Sequence, residues 1–423
     1  MRTPSENARL VDQAYREGRT TLECSPSVLT VESTSICNLR CVMCPHGIDA
    51  VQRPKHMPEN VIEKLSGALA VASDVQLHGI GEPLSSPAFW SALESPALHA
   101  DCNLNINTNL TLLNDRKLAV LLGVKARLTI NVSIDAATDG TYGRIRGAEL
   151  AEVIDNVEKL IAARGESRRP IVYINMTLMR ENIEEAVPFV EMAHRLGVDG
   201  VFFYQMNHQP AERMEKYKID RDGWHFDYTQ QGLWNFKDLS NRCLNEALER
   251  GRQLGMPLYP EGLTSLLFDD APATMAGAAP AVSETPSAET VDGAPGQARP
   301  EVRDCRAPWE WSLIATNGEV LPCCFGAPPV GNLNDSSFEE IWNGEAMQSL
   351  RKSLSENRIP KACEKGLCKY VLNSRLAREE EERQRSELEK AEAERRRGLR
   401  GLALAGLDLL RAPIAASRAR RSR

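Results

Sequence analysis

Residues 33–47 read STSICNLRCVMCPHG and lie at the end of an apolar run, residues 28–34 (VLTVEST). Cys37, Cys41 and Cys44 have the spacing C-x3-C-x2-C. Three thiolates on one short loop can bind three corners of a four-iron cubane and leave the fourth iron without a protein ligand. An open coordination position is typical of catalytic metal sites, whereas closed four-ligand sites are structural. The stretch therefore predicts a catalytic iron–sulfur site, and a zinc site completed by His46 is the alternative.

The chain around this stretch alternates apolar runs with amphipathic helical patterns. Six runs have the composition of strands: residues 28–34, 74–78, 103–107, 127–134, 171–178 and 201–205. Strands separated by helical crossovers form parallel sheets, and right-handed crossovers curl such a sheet. We therefore expect an α/β fold, a partial (β/α)6 barrel with parallel strands. Functional residues of such sheets lie at the carboxyl ends of the strands.

Composition excludes several classes of protein. The 423 residues carry a formal net charge of −7, which argues against a nucleic-acid binder. No uninterrupted apolar run reaches the ~18 residues of a membrane-spanning helix. The N-terminus lacks the apolar core of an export signal, so we expect a cytoplasmic protein. In a reducing compartment the 11 cysteines indicate metal ligands before disulfides.

Changes in composition suggest five segments. An N-terminal segment covers residues 1–27, and the partial barrel with its extension covers residues 28–270. Residues 271–300 are rich in Ala, Pro, Gly, Ser and Thr, which predicts a disordered linker. A compact cysteine-rich segment follows at residues 301–372. Residues 373–423 form a charged helical tail that we expect to be solvated, packed on the body, or in contact with a membrane surface or a partner.

Three further stretches follow the predicted strands in the same order as motifs of a known family. They are HGIGEPL (78–84), NTNLTLL (107–113) and SIDAATDGTYGRIRG (133–147). Together with CNLRCVMC, they resemble the motifs of radical S-adenosylmethionine enzymes, in which the first loop binds the cluster and the later loops bind the cofactor. Four matches in order, each after a strand, make this signal strong.

This resemblance implies roles for individual residues. Cys37, Cys41 and Cys44 would bind a 4Fe-4S cluster whose open iron chelates S-adenosylmethionine, and reductive cleavage would release a 5′-deoxyadenosyl radical. The residues expected to bind the cofactor are Gly79, Gly81, Glu82, Asn107, Ser133, Arg146 and Met43. The glycines would allow close approach, and Glu82 would accept from the methionyl ammonium. Ser133 and Asn107 would reach ribose or carboxylate, Arg146 would pair with the carboxylate, and Met43 would pack on adenine. For Ser133 and Arg146, helix capping is an equally weighted alternative.

The second group of cysteines resembles the SPASM domain or its shortened twitch form. Cys305, Gly318 and Cys323 keep that domain's spacing, with NGEVLPCC as a hairpin that turns at Asn317 and Gly318. We expect one auxiliary 4Fe-4S cluster bound by Cys305, Cys323, Cys363 and Cys368. Cys324 is an alternative ligand to Cys323, and a structural zinc is the alternative metal.

The resemblance implies a radical enzyme that abstracts a hydrogen atom from a small-molecule substrate and oxidises or epimerises it, an alcohol or a sugar for example. The auxiliary cluster would handle electrons, and an external donor such as flavodoxin or ferredoxin would supply them. One alternative is a peptide or protein maturase, and another is a non-catalytic iron–sulfur electron-transfer protein. Tyr204, Gln205 and His208 lie at the end of the sixth strand, where they could bind substrate or shuttle a proton or could simply line the rim. The sequence therefore identifies no catalytic residue.

Overall fold

The structure is a computed structural model that describes residues 2–48, 50–51, 53–206, 215–259, 302–324, 326–364, 368 and 370–371. The predicted linker, the predicted tail and His208 lie outside the described residues. The described residues, which end at Val371, belong to one compact unit.

All six predicted strands are present, and six further short strands follow them. The twelve are β1 (Val28–Val31), β2 (Asp74–Leu77), β3 (Asn103–Thr108), β4 (Arg127–Ser133), β5 (Ile171–Leu178), β6 (Gly200–Gln205), β7 (Lys218–Arg221), β8 (Trp224–Asp227), β9 (Leu258–Tyr259), β10 (Trp311–Ile314), β11 (Glu319–Leu321) and β12 (Gly331–Asn332).

The described residues also form thirteen α-helices. They are α1 (Pro4–Arg16), α2 (Glu59–Glu63), α3 (Ser66–Leu69), α4 (Pro87–Leu93), α5 (Asp115–Gly123), α6 (Asp139–Arg146), α7 (Leu150–Arg164), α8 (Ala186–Leu196), α9 (Tyr228–Gln231), α10 (Lys237–Leu254), α11 (Ala307–Glu310), α12 (Phe338–Trp342) and α13 (Glu345–Ser355). None of these helices is both long and apolar enough to cross a bilayer.

Helix α6 illustrates how the sequence sets these boundaries. The Thr138 hydroxyl accepts from the Thr141 amide and caps the helix start, and Gly147 ends the helix at φ +73°. A left-handed residue at this position suits glycine, which lacks a Cβ. Helix α6 follows β4, and its Ile145 carbonyl accepts from the Val42 amide of the cysteine loop, residues 37–44. These caps therefore fix where the last residue of α6, Arg146, lies.

The main sheet has ten strands in the order β12-β11-β10-β1-β2-β3-β4-β5-β6-β9. Strands β1 to β6 pair in parallel, each with the next. The predicted α/β fold of parallel strands with a cysteine-rich C-terminal segment is confirmed. The sheet continues beyond β1, because β10 from the cysteine-rich segment pairs with β1 in parallel. The predicted hairpin follows as β10 and β11, with Gly318 at φ +82° in its turn.

The two faces of the sheet differ in polarity. Apolar positions such as Ile106, Ile130 and Ile174 are fully buried in the main core, together with the buried stripes of the helices. The alternate positions on β3 and β4 are half-buried and mainly polar. Because successive side chains of a strand point to opposite faces, the polar set lies on the face away from the helices.

The N-terminal segment packs against the cysteine-rich segment rather than against the first strands alone. The Trp309 indole donates to the Arg19 carbonyl at 2.8 Å, and the Trp342 indole donates to the Cys24 carbonyl at 2.9 Å. Both tryptophans are almost completely buried. These two parts, which lie at opposite ends of the described chain, therefore share one core.

A hairpin of β7 and β8 covers the cysteine loop. The buried side chains of Phe226, Tyr217 and Tyr228 form a second apolar cluster with Val42 of the loop and Ile145 of α6. This cluster is separate from the main core, so the cysteine loop has hydrophobic support of its own.

Candidate functional site

The three N-terminal cysteines lie at the carboxyl end of β1, where the resemblance places them. The Cys44 amide donates to the Cys41 carbonyl at 3.1 Å, which folds the loop into a tight turn. Cys41 is buried, whereas Cys37 and Cys44 are half-buried. The loop therefore presents two partly accessible thiols and one enclosed thiol on the same side of the sheet edge.

The environment of these thiols favours protonation in the absence of a metal. Burial, with smaller contributions from the neighbouring Cys41 and Cys44, raises the pKa of Cys37 to about 11. Burial also raises the pKa of Cys41, although Arg146 opposes this effect. Since thiolates are the form that binds iron, metal binding at such a group must displace protons.

No three His, Cys, Asp or Glu side chains among the described residues stand close enough together to hold a single ion. Four-iron clusters instead take one thiolate for each iron, so their ligands stand apart from one another. Three neighbouring thiols, one for each of three irons, are therefore a donor set that fits a 4Fe-4S cluster with one open iron.

A carboxamide network fixes the cysteine loop to the end of β3. The Asn109 amide group donates to Asn38 Oδ1 at 3.0 Å and lies 4.0 Å from Cys37 Sγ. Asn38 in turn donates to Thr111 at 2.8 Å. Asn109 was not among the residues expected to bind the cofactor. Its signal was the repeated asparagine in NTNLTLL, from which Asn107 alone was selected.

Glu82 lies in the centre of the site and is only 2% exposed. Its Oε1 accepts from the Thr108 hydroxyl at 2.6 Å and the Leu84 amide at 3.0 Å, and its Oε2 accepts from the Asn109 amide at 2.8 Å. An ionised carboxylate has about four acceptor positions. Among the described residues, one position on Oε2 is not used, which leaves room for the predicted ammonium contact.

Gly79 and Gly81 are required by contacts within the chain. A Cβ on Gly81 would lie 2.4 Å from the Thr34 carbonyl oxygen, and a Cβ on Gly79 would lie 2.3 Å from Glu32 Cγ. The Glu82 amide donates to the Ile36 carbonyl at 2.9 Å. The two glycines thus let the loop after β2 lie directly against the segment that leads into the cysteines.

Arg146 reaches the cysteine loop from the last residue of α6. Its Nη1 donates to Cys41 Sγ at 3.6 Å, and its Nη2 forms an ion pair with Asp135. Arg146 Nε is buried and has no hydrogen-bond partner among the described residues. A buried guanidinium N–H left without a partner is costly, and it suits an anionic group of a bound ligand.

Ser133 and Asn107 lie on the polar face of the sheet. Asn107 on β3 lies opposite Asn131 on β4, and Ser133 on β4 lies opposite Asn175 on β5. The Asn175 amide group donates to Ser133 at 3.5 Å, while its Oδ1 is buried without a partner in the described part of the chain. This face therefore presents one buried carboxamide oxygen, Asn175 Oδ1, that has no partner among the described residues.

The remaining predicted residues lie at the edges of this region. Met43 packs at the border of the second apolar cluster. Tyr204 and Gln205 are half-buried at the end of β6, and the Tyr204 ring stacks on Phe202 at 5.8 Å.

Glu32 and His78, which the sequence analysis did not single out, follow the ends of β1 and β2. Glu32 accepts from the Ile80 amide at 2.9 Å and from the Thr316 backbone. Burial lowers the pKa of His78 to about 4, so this imidazole is neutral at physiological pH. Glu32 thus connects the loop after β2 to the hairpin of the cysteine-rich segment.

The structure brings the four predicted auxiliary cysteines into one group. Burial, with smaller contributions from Cys323, Cys368 and Cys363, raises the pKa of Cys305 to about 12. Burial also raises the pKa of Cys363, and the same neighbours, Cys323 and Cys368, contribute to that rise. Cys324 is an exposed member of this group, and Cys323 and Cys368 also contribute to a raised pKa of its thiol. The four predicted thiols fit a closed cluster, and Cys324 remains close enough to be the alternative ligand.

Two family models match this chain. The model of the radical SAM superfamily matches residues 31–193, and the model of the SPASM iron–sulfur cluster-binding domain matches residues 305–369. Residues 31–193 are therefore a radical SAM domain, and residues 305–369 are a SPASM domain. The radical SAM superfamily uses a 4Fe-4S cluster with S-adenosylmethionine, and SPASM domains bind auxiliary iron–sulfur clusters.

Two curated relatives match part of this radical SAM protein. The mycofactocin maturase MftC of Mycobacterium tuberculosis is 25% identical over 176 residues, which are 41% of this chain and 43% of MftC. The tungsten-containing aldehyde ferredoxin oxidoreductase cofactor-modifying protein of Pyrococcus furiosus is 29% identical over 183 residues, which are 41% of this chain and 49% of that protein. The match thus spans less than half the length of either relative.

Solved structures resemble this radical SAM protein in fold. Streptococcus suis SuiB bound to its precursor peptide SuiA superposes with a TM-score of 0.54 at 16% identity, covering 86% of this chain and 74% of SuiB. The enzyme anSMEcpe with bound AdoMet superposes with a TM-score of 0.51 at 14% identity, covering 81% of this chain and 88% of anSMEcpe.

Proposed function

We propose that this radical SAM enzyme is a maturase that modifies a peptide or protein by oxidation. This was the alternative in the sequence analysis, and it is supported better than the small-molecule reading. The matched relatives include a maturase, and two of the similar solved structures hold peptides, SuiA in SuiB and Cp18Cys in anSMEcpe. The cytoplasm is the compartment we propose, because a reducing compartment keeps the proposed cluster ligands from forming disulfides.

The observation in this chain that carries the peptide assignment is the polar face of the sheet. Half-buried carboxamides, Asn107 and Asn131, lie opposite each other on β3 and β4, and Asn175 on β5 has an Oδ1 without a partner among the described residues. Each carboxamide combines an acceptor and two donors, which matches the paired N–H and C=O of a peptide backbone. Leaving the buried Asn175 oxygen unpaired is costly unless a ligand pairs with it.

When bound, the two clusters supply one-electron chemistry: reduction of S-adenosylmethionine at the first, and acceptance of an electron from substrate at the second. The residues of this chain would bind and orient. Cys37, Cys41 and Cys44 would hold the first cluster, and Glu82 and Arg146 would bind the amino-acid end of the cofactor. Cys305, Cys323, Cys363 and Cys368 would hold the second cluster. An external flavodoxin or ferredoxin is the proposed electron donor.

The first test is reductive cleavage of S-adenosylmethionine. The reconstituted wild type with dithionite should produce 5′-deoxyadenosine, detected by chromatography, and the Cys37→Ala/Cys41→Ala/Cys44→Ala variant should produce none. Production by that variant would contradict the assignment of the open cluster.

The second test separates peptide from small-molecule substrates. Short peptides encoded beside the gene, and a panel of alcohols and sugars, are added separately, and deoxyadenosine formation and substrate mass are followed. The proposal expects a peptide to stimulate cleavage and to change mass. Stimulation by a sugar or alcohol alone would reinstate the small-molecule reading.

The third test concerns oxidation. Cys363→Ala/Cys368→Ala should retain deoxyadenosine formation and lose product, because the substrate radical has no electron acceptor. Circular dichroism controls for unfolding, since losing a cluster also removes a cross-link between distant segments. Normal turnover by a folded variant would contradict the electron-accepting role.

A further inference from the structure

Arg146 and Asp135 form a buried ion pair directly behind the cysteine loop. Arg146 is 8% exposed and Asp135 is fully buried. One guanidinium nitrogen pairs with the Asp135 carboxylate, and another donates to Cys41 Sγ at 3.6 Å. A cation is thus held in contact with a predicted cluster ligand and shielded from water.

The position of this pair is determined by the fold around it. Asp135 Oδ1 accepts from the Thr177 amide at 2.6 Å, and the Asp135 carbonyl accepts from Asn182 at 2.8 Å. Asp135 has a left-handed backbone, φ +68°, which is uncommon for a residue other than glycine. On the other side, the Val42 amide donates to the Ile145 carbonyl at 3.0 Å and ties the loop to α6.

We infer that Arg146 sets the reduction potential of the open cluster through its hydrogen bond to Cys41 Sγ, and that Asp135 moderates this effect. A hydrogen bond from a cation to a ligating sulfur stabilises the extra negative charge of the reduced cluster, so the potential rises. The carboxylate of Asp135 partly cancels the positive charge. Arg146 acts through Cys41 and is a positioning residue in this role.

This inference rests on the proposed ligation by Cys41 and differs from the predicted contact of Arg146 with S-adenosylmethionine. The bond to Cys41 uses Nη1, whereas Nε is the nitrogen without a partner among the described residues. The effect on the potential therefore exists without bound S-adenosylmethionine, which provides a way to separate the two roles.

The experiment is a redox titration of the reconstituted full-length protein without S-adenosylmethionine, followed by electron paramagnetic resonance. The open cluster is identified as the signal lost in the Cys37→Ala/Cys41→Ala/Cys44→Ala variant. In Arg146→Met the ratio of reduced to oxidised cluster at a fixed potential should fall about tenfold, a negative shift of about 59 mV for one electron. In Asp135→Asn the potential should move in the positive direction.

The matched control is Arg144→Met on the same helix. Arg144 is half-buried and pairs with Glu181 at 2.7 Å rather than with a cysteine, so its loss should leave the potential unchanged. If Arg146→Met retains no iron, Arg146→Lys replaces it, because lysine keeps the charge but cannot make both contacts and should give a smaller negative shift.

Opposite shifts in Arg146→Met and Asp135→Asn, with no shift in Arg144→Met, support the inference. Unchanged potentials, or shifts in the same direction for both variants, overturn it, since general disruption of the loop would act with one sign. A wild type with no open-cluster signal would overturn the proposed function itself, together with this inference.

Discussion

At the scale of single residues, Glu82 combines two tasks that can be separated by experiment. Its carboxylate accepts from Leu84, Thr108 and Asn109, which joins the ends of β2 and β3. Glu185 is a matched carboxylate outside the predicted site: it accepts from the Ala137 and Thr138 amides and from the Thr138 hydroxyl.

We expect Glu82→Gln to lower both stability and affinity for S-adenosylmethionine, whereas Glu185→Gln should lower stability alone. A hydrogen bond to a charged group contributes roughly 1.5–3 kcal/mol, so the dissociation constant for the cofactor should rise about 10- to 100-fold in the first variant. Isothermal titration calorimetry measures the binding, and thermal unfolding measures the stability. Equal affinity in Glu82→Gln and wild type would contradict the predicted ammonium contact.

His78 makes the stability of the folded protein depend on pH in a predictable direction. Burial lowers its pKa from 6.5 to about 4, so the unfolded chain binds a proton that the folded chain does not bind. Stability is therefore lost as the pH falls from about 6.5 towards 4, by on the order of 1 kcal/mol near pH 5.5.

Replacing His78 with Gln should reduce this loss relative to wild type, as measured by urea unfolding near pH 7.5 and pH 5.5. His225→Gln, at an exposed histidine, is the control and should behave as wild type. A His78→Gln variant with the wild-type pH dependence would show that His78 is not buried as a neutral group.

At the scale of elements, the β7–β8 hairpin fastens the cysteine loop through one side chain. Arg221 donates to the Arg144 carbonyl at 2.7 Å at the end of α6, and to the Arg40 carbonyl within the loop. A cation near the carbonyl end of a helix is favourable, because those carbonyls are otherwise without intrahelical partners.

Arg221→Ala should therefore loosen the loop and accelerate the loss of iron from the first cluster by several-fold. Release of iron to a chelator, followed by absorbance, is the measurement. Arg250→Ala removes a surface pair with Glu191 instead and should leave the rate unchanged. The same release rate in Arg221→Ala and Arg250→Ala would contradict the role of the hairpin.

At the scale of the whole molecule, two cysteine groups separated by more than 250 positions lie next to strands of the same sheet. The first group follows β1, and the second surrounds the hairpin whose strand β10 pairs with β1. Glu32 adds a direct link, because its carboxylate contacts both the loop after β2 and Thr316 after β10.

Iron and sulfide analysis after anaerobic reconstitution should give about eight irons per wild-type chain and about four in the Cys37→Ala/Cys41→Ala/Cys44→Ala variant, since each cubane holds four. Cys363→Ala/Cys368→Ala should also retain about four. Zinc at the second group, or an unchanged iron content in either variant, would contradict the prediction of two clusters.

The sequence by itself determined the order of strands β1 to β6, the loops that carry the motifs and the candidate cluster ligands. These features are local: strand periodicity, cysteine spacing and turn residues are properties of a few neighbouring positions. The hairpin turn at Gly318 and the cap of α6 by Thr138 follow from local chemistry in the same way.

Only the tertiary structure decided which side chains meet across long separations. The sequence alone does not distinguish Asn107 from Asn109. In the structure Asn109 lies just past the strand end and approaches Cys37. The pairing of β10 with β1 and the bond from Arg146 to Cys41 join residues more than 100 positions apart. Such contacts depend on how the strands register and the helices pack, and no local pattern encodes them.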